Sequence, residues 1–199
     1  MEPSIEAYND SIHNDSTTFW DKLAVDAPNI IYHPDLEKYN QLIKILFSRS
    51  CIINYDDLYI GTSHEEIVQA INRWKIDKPF HIVNIDHHHD LGYTEKRSNK
   101  EIYYQQLKCS NWVTHLAQSN PNFQKYIWIR NQNSESDIDN YAKEKVQLYD
   151  NSIDINLVLS MKFNKVFICK SPGWVPPNVM PLYDSLVLSY STFIKRGIL

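Results

Sequence analysis

The densest group of ionisable side chains in this 199-residue chain is the segment Asp86-His87-His88-His89-Asp90, which follows an apolar stretch over residues 80–85. Side chains alternate along an extended backbone, so Asp86, His88 and Asp90 point to one side. Two carboxylates and an imidazole that converge repel and desolvate one another unless a cation lies between them. The segment therefore predicts a divalent-metal site with these three ligands, and a solvated polar loop is the alternative.

Two histidines near this segment are candidate proton carriers. His87 points to the opposite side of the extended segment. His115 lies in a helix predicted over residues 111–118. A histidine titrates near neutral pH, which suits transfer of a proton during catalysis. For His115 the alternative is a structural role, with its ring packed beside Trp112.

The candidate substrate-binding residues lie in segments that follow other predicted strands. Asp56 comes after a strand predicted over residues 51–55, and an ordinary turn explains it equally well. Lys170 and Trp174 lie in a loop whose prolines and glycine predict a rigid backbone. In that loop Lys170 would hold an anionic group and Trp174 would form an apolar wall. A plain structural turn is again the alternative.

Helical and strand patterns alternate along the chain and predict the framework of the site. The predicted helices cover residues 36–47, 63–74, 111–118, 137–148 and 180–195. The predicted strands cover residues 51–55, 80–85, 125–129, 153–159 and 166–169. Ser63 and Glu66 have the spacing of a capping box at the start of the second helix. The alternation predicts a single three-layer α/β/α domain with a mainly parallel sheet, in which ligands bind at the carboxyl ends of strands.

The composition is that of a folded domain, with 43% hydrophobic and 22% charged residues. We expect residues 1–30 to form a polar lead-in and residues 31–199 one domain. No apolar run reaches the ~20 residues of a membrane span, and the first residues lack a signal-peptide pattern, so a cytoplasmic protein is expected. The net charge of −4 is against broad nucleic-acid binding. None of the three cysteines forms a C-x-x-C pair, which is against a cysteine zinc site.

Two motifs give the chain a resemblance to the arginase and histone-deacetylase superfamily. Asp86-His87-His88-His89-Asp90 resembles its D-x-H-x-D metal motif, and Ser152-Ile153-Asp154-Ile155-Asn156 resembles its later S-x-D-x-D motif. With the loop over residues 171–177, they look like the small arginase-like proteins of bacteria, phages and eukaryotes. The resemblance implies an arginase-like fold and a divalent metal, Mn²⁺ first, with Zn²⁺ or Fe²⁺ as alternatives. The metal ligands that it implies are Asp86, His88, Asp90 and Asp154.

The chain departs from the superfamily pattern at two places. It has no upstream G-G-D-H segment, so the first histidine ligand lacks a direct counterpart. Either the segment Tyr55-Asp56-Asp57 or His64 could substitute for it. Asn156 stands where a second carboxylate is expected, and we place it among the candidate substrate-binding residues because an amide is a poorer metal ligand.

Three functions remain open from the sequence. The arginase-like resemblance implies hydrolysis of a C–N bond in an amide, amidine or guanidino group of a small-molecule substrate, by metal-activated water. The run Ile85-Asp86-His87-His88 also resembles the DHH phosphoesterases, which use two manganese ions to cleave phosphodiesters or pyrophosphate. The third function is non-enzymatic, in which a hydrolase-like fold without activity binds a metal, a ligand or a partner. The oligomeric state is left open.

Overall fold

The structure, a computed structural model, describes residues 36–49, 55–92, 104–130, 134, 138–150, 161–171, 175 and 177–196. The α-helices in these ranges are α1 (Leu36–Arg49), α2 (Glu66–Trp74), α3 (Trp112–Ser119), α4 (Asn140–Lys145) and α5 (Met180–Arg196). The strands are β1 (Leu58–Gly61), β2 (Phe80–Ile85), β3 (Phe123–Ile129), β4 (Leu148–Asp150) and β5 (Val166–Cys169). Short 3-10 helices, Tyr55–Asp57 and Pro177–Val179, precede β1 and α5.

The strand pairs of the described ranges are all parallel. β2, β3 and β4 form a three-stranded sheet with β3 in the centre, and β1 pairs with β5. Gly61 lies opposite Cys169 and Ile85 lies opposite Ile129, so paired strands end level with each other. The segments that leave β1 and β2 therefore both start from a carboxyl edge, where ligands bind in parallel sheets.

The helices cover these sheets with apolar faces. Ile67, Ala70 and Ile71 have the three-to-four-residue spacing of one helix face, and all three are buried. They belong to the main core, which also includes Trp112 on α3 and Tyr126 on β3. Burial of one isoleucine side chain, such as that of Ile67 or Ile71, stabilises a fold by about 1.5–3 kcal/mol.

A second core lies against β1 and β5. Leu58, Val166 and Ile168 of these strands are buried together with Leu186 and Tyr190 of α5. The last helix is thereby fixed against β5.

None of the helices in the described part of the chain combines the length and the apolar character needed to cross a membrane.

The structure confirms a mixed α/β protein with parallel strands. β2 and β5 have the predicted bounds, and α1, α3 and α5 match their predictions to within two residues at each end. The predicted lead-in, residues 1–30, and the strand predicted over residues 153–159 lie outside the described residues.

Two element predictions were wrong in part. Of the strand predicted over residues 51–55, residues 51–54 lie outside the described residues, and Tyr55 is part of a 3-10 helix, Tyr55–Asp57, that precedes β1. The helix predicted over residues 137–148 covers only Asn140–Lys145, and the chain continues into β4. There Leu148 pairs with Tyr126 of β3, so pairing with a distant strand outweighs local helix propensity.

Candidate metal centre

A histidine and two aspartates from two different segments lie together beyond the strand ends. His64 Nδ1 is 2.8 Å from Asp90 Oδ2 and 3.3 Å from Asp86 Oδ2. One ligand atom from each of the three residues lies within 4.8 Å of the other two. Two atoms that bind one ion at about 2.1 Å, at tetrahedral or octahedral angles, are about 3.0–3.4 Å apart. Both distances to His64 are therefore close to the spacing of ligands that share a cation.

His64 lies in the short loop between β1 and α2. Hydrogen bonds between residues next to His64 in the chain hold this loop in shape. Glu66 Oε1 accepts hydrogen bonds from the backbone N–H groups of Thr62 (2.9 Å) and Ser63 (3.0 Å) and from the Thr62 hydroxyl (2.7 Å). Burial alone raises the pKa of Glu66, but these hydrogen bonds lower it on balance. The capping-box spacing thus marks a real turn, in which the carboxylate holds the loop that carries His64.

The loop that carries the two aspartates follows β2 and is held by the neighbouring strand β3. The Trp128 indole donates a hydrogen bond to the carbonyl of Asp86 at 3.0 Å. The Tyr126 hydroxyl donates to the carbonyl of His89, also at 3.0 Å. Both aromatic side chains are fully buried. They satisfy carbonyl groups that the loop would otherwise bury without a partner.

The start of α3 holds the other end of the same loop. The backbone N–H of Val113 donates to the carbonyl of Asp90 at 3.2 Å, and the Thr114 hydroxyl donates to the carbonyl of Leu91 at 2.7 Å. The Trp112 indole donates to the side chain of Asp90, with 2.7 Å between Nε1 and Oδ2. Three consecutive residues of α3 therefore fix the carboxylate of Asp90 and the backbone carbonyl groups of Asp90 and Leu91.

The compact group contains His64 in addition to Asp86 and Asp90, but not the predicted ligand His88. Side chains alternate between two sides only along an extended backbone, and β2 ends at Ile85, before the two aspartates. Asp90 has a φ of 51°, in the left-handed region, so the chain turns before the second aspartate. Asp90 consequently approaches Asp86 from a turn rather than along a strand.

His88 lies beside the group, and the charges of the group affect its pKa. Burial lowers the pKa of His88, the charge of Asp86 raises it in part, and His87 and His64 lower it further. Its ring packs edge-on against His87, with the ring centroids 4.8 Å apart. His88 is therefore a neutral, half-buried imidazole next to the three ligand candidates.

Asp86 is a half-buried carboxylate that lies among other charged groups. Burial, followed by the charge of Asp90, raises the pKa of Asp86 to about 6, although His64 and His88 act in the opposite direction. Its Oδ1 atom accepts a hydrogen bond from the backbone N–H of His87 at 2.6 Å. Its Oδ2 atom is buried and has no hydrogen-bond partner among the described residues.

His64 is held as a cation between the two carboxylates. Burial alone lowers its pKa, but the charge of Asp90 and hydrogen bonds to Asp90 and Cys169 raise the pKa well above its ordinary value. Cys169 is the last residue of β5 and is a free thiol. The proton on His64 therefore offsets part of the negative charge of the two aspartates.

The two predicted proton carriers make different contacts. His115 Nδ1 is 3.3 Å from the carbonyl of Tyr104, which is the contact of a packed helix histidine. His87 is exposed, and its Nδ1 atom is 3.4 Å from the hydroxyl of Ser134. His87 is the next residue after Asp86 and so stays at the rim of the group, whereas His115 faces Tyr104.

The predicted substrate-binding residues that the structure describes have partners of their own. The side chain of Asp56 is 91% exposed and lies 3.6 Å from Arg73. Lys170 Nζ is 3.6 Å from Asp184 and lies over the ring of Tyr183. Asp154, Asn156 and Trp174 lie outside the described residues.

Sequence reasoning named His64 only as a possible substitute ligand and treated Trp112 only as a neighbour of His115. A usable signal for His64 was its place three residues after an apolar strand, at the edge that also bears Asp86. Trp112, Tyr126 and Trp128 carry no such signal, because apolar spacing alone predicts them as core residues.

Comparison of the chain with models of known protein families, with curated proteins and with solved structures finds no match in any of the three.

Proposed function

We propose that this protein is a metal-dependent hydrolase of a C–N bond, and that His64, Asp86 and Asp90 bind its divalent cation. The donor set is one imidazole nitrogen and two carboxylate oxygens. Imidazole suits zinc and iron, and carboxylate suits manganese, so Mn²⁺, Zn²⁺ and Fe²⁺ all fit these donors. A cation of this kind, when bound, polarises the bond to be cleaved and lowers the pKa of coordinated water.

The observation that carries this proposal is the Oδ2 atom of Asp86. It is buried, has no hydrogen-bond partner among the described residues, and lies 3.3 Å from His64 Nδ1. A buried carboxylate oxygen without a hydrogen bond is costly, and buried charges in proteins are normally paired or bound to a metal. A cation between Asp86, Asp90 and His64 would satisfy this oxygen.

The charge balance of the group supports the same assignment. Two ionised carboxylates with a neutral imidazole carry two negative charges, which one divalent cation would neutralise. Without a cation, the proton on His64 offsets part of this charge, and the pKa values of His64 and Asp86 are both raised. A divalent cation at this position would displace the proton on His64 and neutralise both carboxylates.

The residues around the group supply the remaining parts of a hydrolytic site. His88 is neutral near pH 7, because its pKa is lowered, and it can accept a proton beside Asp86 or add a further nitrogen ligand. His87 lies at the exposed rim, where a substrate would enter. The proposed substrate is a small molecule with an amide, amidine or guanidino group.

The proposal is tested by assaying the metal-loaded protein on amide, guanidino and phosphodiester substrates. Asp86→Asn removes one ligand charge at nearly constant shape, and Asp77→Asn, at an exposed position before β2, is the matched control. We expect metal-dependent release of amine, ammonia or urea that Asp86→Asn abolishes and Asp77→Asn leaves intact.

Two results would contradict this proposal and point elsewhere. Turnover of phosphodiesters alone would assign the metal site to phosphoester hydrolysis. A tightly bound metal without turnover of any of the three substrate classes would assign the protein to the binding function.

A further inference from the structure

Trp112 makes an unusual contact for a core tryptophan. It is the first residue of α3 and only 3% exposed, yet its indole N–H points at the carboxylate of Asp90, 2.7 Å from Oδ2. The ring packs edge-on against Tyr126, with the ring centroids 5.8 Å apart and an interplanar angle of 85°. Buried packing of this kind leaves the indole little freedom to rotate, so its N–H direction is fixed.

The hydrogen bond decides how Asp90 presents its oxygen. Oδ2 faces two nitrogen atoms, Nε1 of the Trp112 indole at 2.7 Å and Nδ1 of His64 at 2.8 Å. A carboxylate oxygen has about two lone-pair sites. The indole takes one of them, so the other is directed toward His64, where the proposed cation would lie.

The backbone alone does not set this orientation. Asp90 has a φ of 51°, so no strand geometry directs its side chain. The carbonyl of Asp90 is held by the N–H of Val113, the residue after Trp112. Helix α3 therefore fixes the main chain of Asp90 with one residue and its carboxylate with the preceding one.

We propose that Trp112 is a positioning residue for the metal centre, which holds Asp90 Oδ2 in a one-oxygen binding orientation through its indole N–H. The inference rests on the proposed metal site. Residues that hydrogen-bond to metal ligands orient them, and their loss typically weakens metal binding by about 10–100-fold.

The direct test is Trp112→Phe, which removes the N–H and keeps an aromatic ring in the core. Binding of Zn²⁺ and of Mn²⁺ is measured by competition with a chelator. We expect Trp112→Phe to bind each metal about 10–100-fold more weakly than the wild type. Trp74→Phe, which removes an indole hydrogen bond to the carbonyl of Asp56 away from the group, should leave the affinity unchanged.

A further comparison separates positioning from general loss of packing. Trp128→Phe also removes a buried indole hydrogen bond to the aspartate loop, but to a backbone carbonyl rather than to a ligand oxygen. At equal loss of stability, it should weaken metal binding less than Trp112→Phe. With Co²⁺ bound, Trp112→Phe should also change the visible spectrum, which reports ligand geometry. Equal effects of the two variants would overturn the inference.

A double-mutant cycle identifies the ligand through which Trp112 acts. In an Asp90→Ala background, Trp112→Phe should cause no additional loss of affinity, because the group that it orients is absent. Additive losses would show that Trp112 acts through the general fold, and would contradict the proposal.

A measurement on the unmodified chain covers the case in which Trp112→Phe does not fold. The indole ¹H–¹⁵N signal of Trp112 should shift when Zn²⁺ is added, while that of Trp74 stays in place. An unchanged Trp112 signal in protein that binds Zn²⁺ would refute the positioning role and leave the metal site standing. If the wild-type chain binds neither Zn²⁺ nor Mn²⁺, the proposed function itself fails.

Discussion

Two loops bring the ligand candidates together, and they are built in different ways. Residues 62–65, after β1, carry His64, and residues 86–91, after β2, carry both aspartates. The first residue of each loop makes one backbone hydrogen bond to the neighbouring chain segment. The N–H of Ser171 donates to the carbonyl of Thr62, and the N–H of Asp86 donates to the carbonyl of Ile129. The rest of the first loop is held by the side chain of Glu66, which accepts hydrogen bonds from residues three and four positions earlier in the chain. The second is closed mainly by donors 22–42 residues away.

The difference indicates how the centre assembles. Besides the hydrogen bond from Ser171, the histidine loop takes its shape from β1 and the first turn of α2. The aspartate loop needs β3 and α3 to be in place, so its shape depends on the completed core. Substitutions in the anchors of the aspartate loop should therefore cost global stability, whereas substitutions in the histidine loop should have local effects.

The largest effect is expected at Trp128, a fully buried anchor of the aspartate loop. Trp128→Ala leaves a large cavity and removes the hydrogen bond to Asp86, so we expect the free energy of unfolding to fall by about 3–5 kcal/mol. Urea denaturation followed by circular dichroism measures this loss. A loss below about 1 kcal/mol would show that the loop does not depend on the core.

The affinity for metal should depend strongly on pH, because protons compete for two ligands. Asp86, with a pKa raised to about 6, is protonated below that pH, and the raised pKa of His64 extends competition to higher pH. Both effects have the same sign, so metal binding strengthens as pH rises. Between pH 7.5 and pH 5 we expect a loss of at least about 100-fold, tenfold or more from each group. Calorimetric titration with Zn²⁺ at several pH values checks this, and a flat profile would exclude these ligands.

Two threonines, each with a hydroxyl group that helps to hold one of the loops, allow the closest comparison of the two loops. Thr114→Val removes the buried hydroxyl that donates to the carbonyl of Leu91, and we expect a loss of about 1–3 kcal/mol of stability. Thr62→Val removes a hydroxyl that donates to Glu66 at an exposed position, and we expect about 0.5 kcal/mol or less. Chemical denaturation of both variants measures the difference. Equal losses would remove the distinction between the loops.

The smallest effect is expected at Asp56, a sequence-based candidate for substrate binding. Its side chain is exposed and pairs with an exposed Arg73. Asp56→Asn should change stability by about 0.5 kcal/mol or less and leave metal affinity unchanged. Loss of metal binding in this variant would place Asp56 at the centre and revise the ligand set.

The same contrast explains what could be predicted from the sequence. β2 and β5 are short segments rich in β-branched and aromatic residues, each ending before a charged residue, and their bounds were correct because local pattern is sufficient there. The spacing of Ser63 and Glu66 likewise predicted the turn before α2, although the helix starts only at Glu66 and its N-cap is Glu65 rather than Ser63. These features depend on residues a few positions apart.

The arrangement of the ligands depends on contacts that no local pattern contains. Asp90 leaves the extended conformation because α3 holds its backbone, so alternation along the strand did not place it. His64 joins the two aspartates because β1 and β2 end at neighbouring carboxyl edges, and the sequence alone does not determine their relative position. The residue types of the centre were therefore predictable, whereas His64 could be named from the sequence only as one of two possible substitute ligands.

The most direct test of the central claim is metal binding by the wild type, His64→Ala and His88→Ala, each purified without chelator and analysed by elemental mass spectrometry. We predict about one equivalent of Mn²⁺, Zn²⁺ or Fe²⁺ in the wild type, loss of the metal in His64→Ala, and a smaller reduction in His88→Ala. Retention of full metal content in His64→Ala, with loss in His88→Ala, would contradict the ligand set of His64, Asp86 and Asp90.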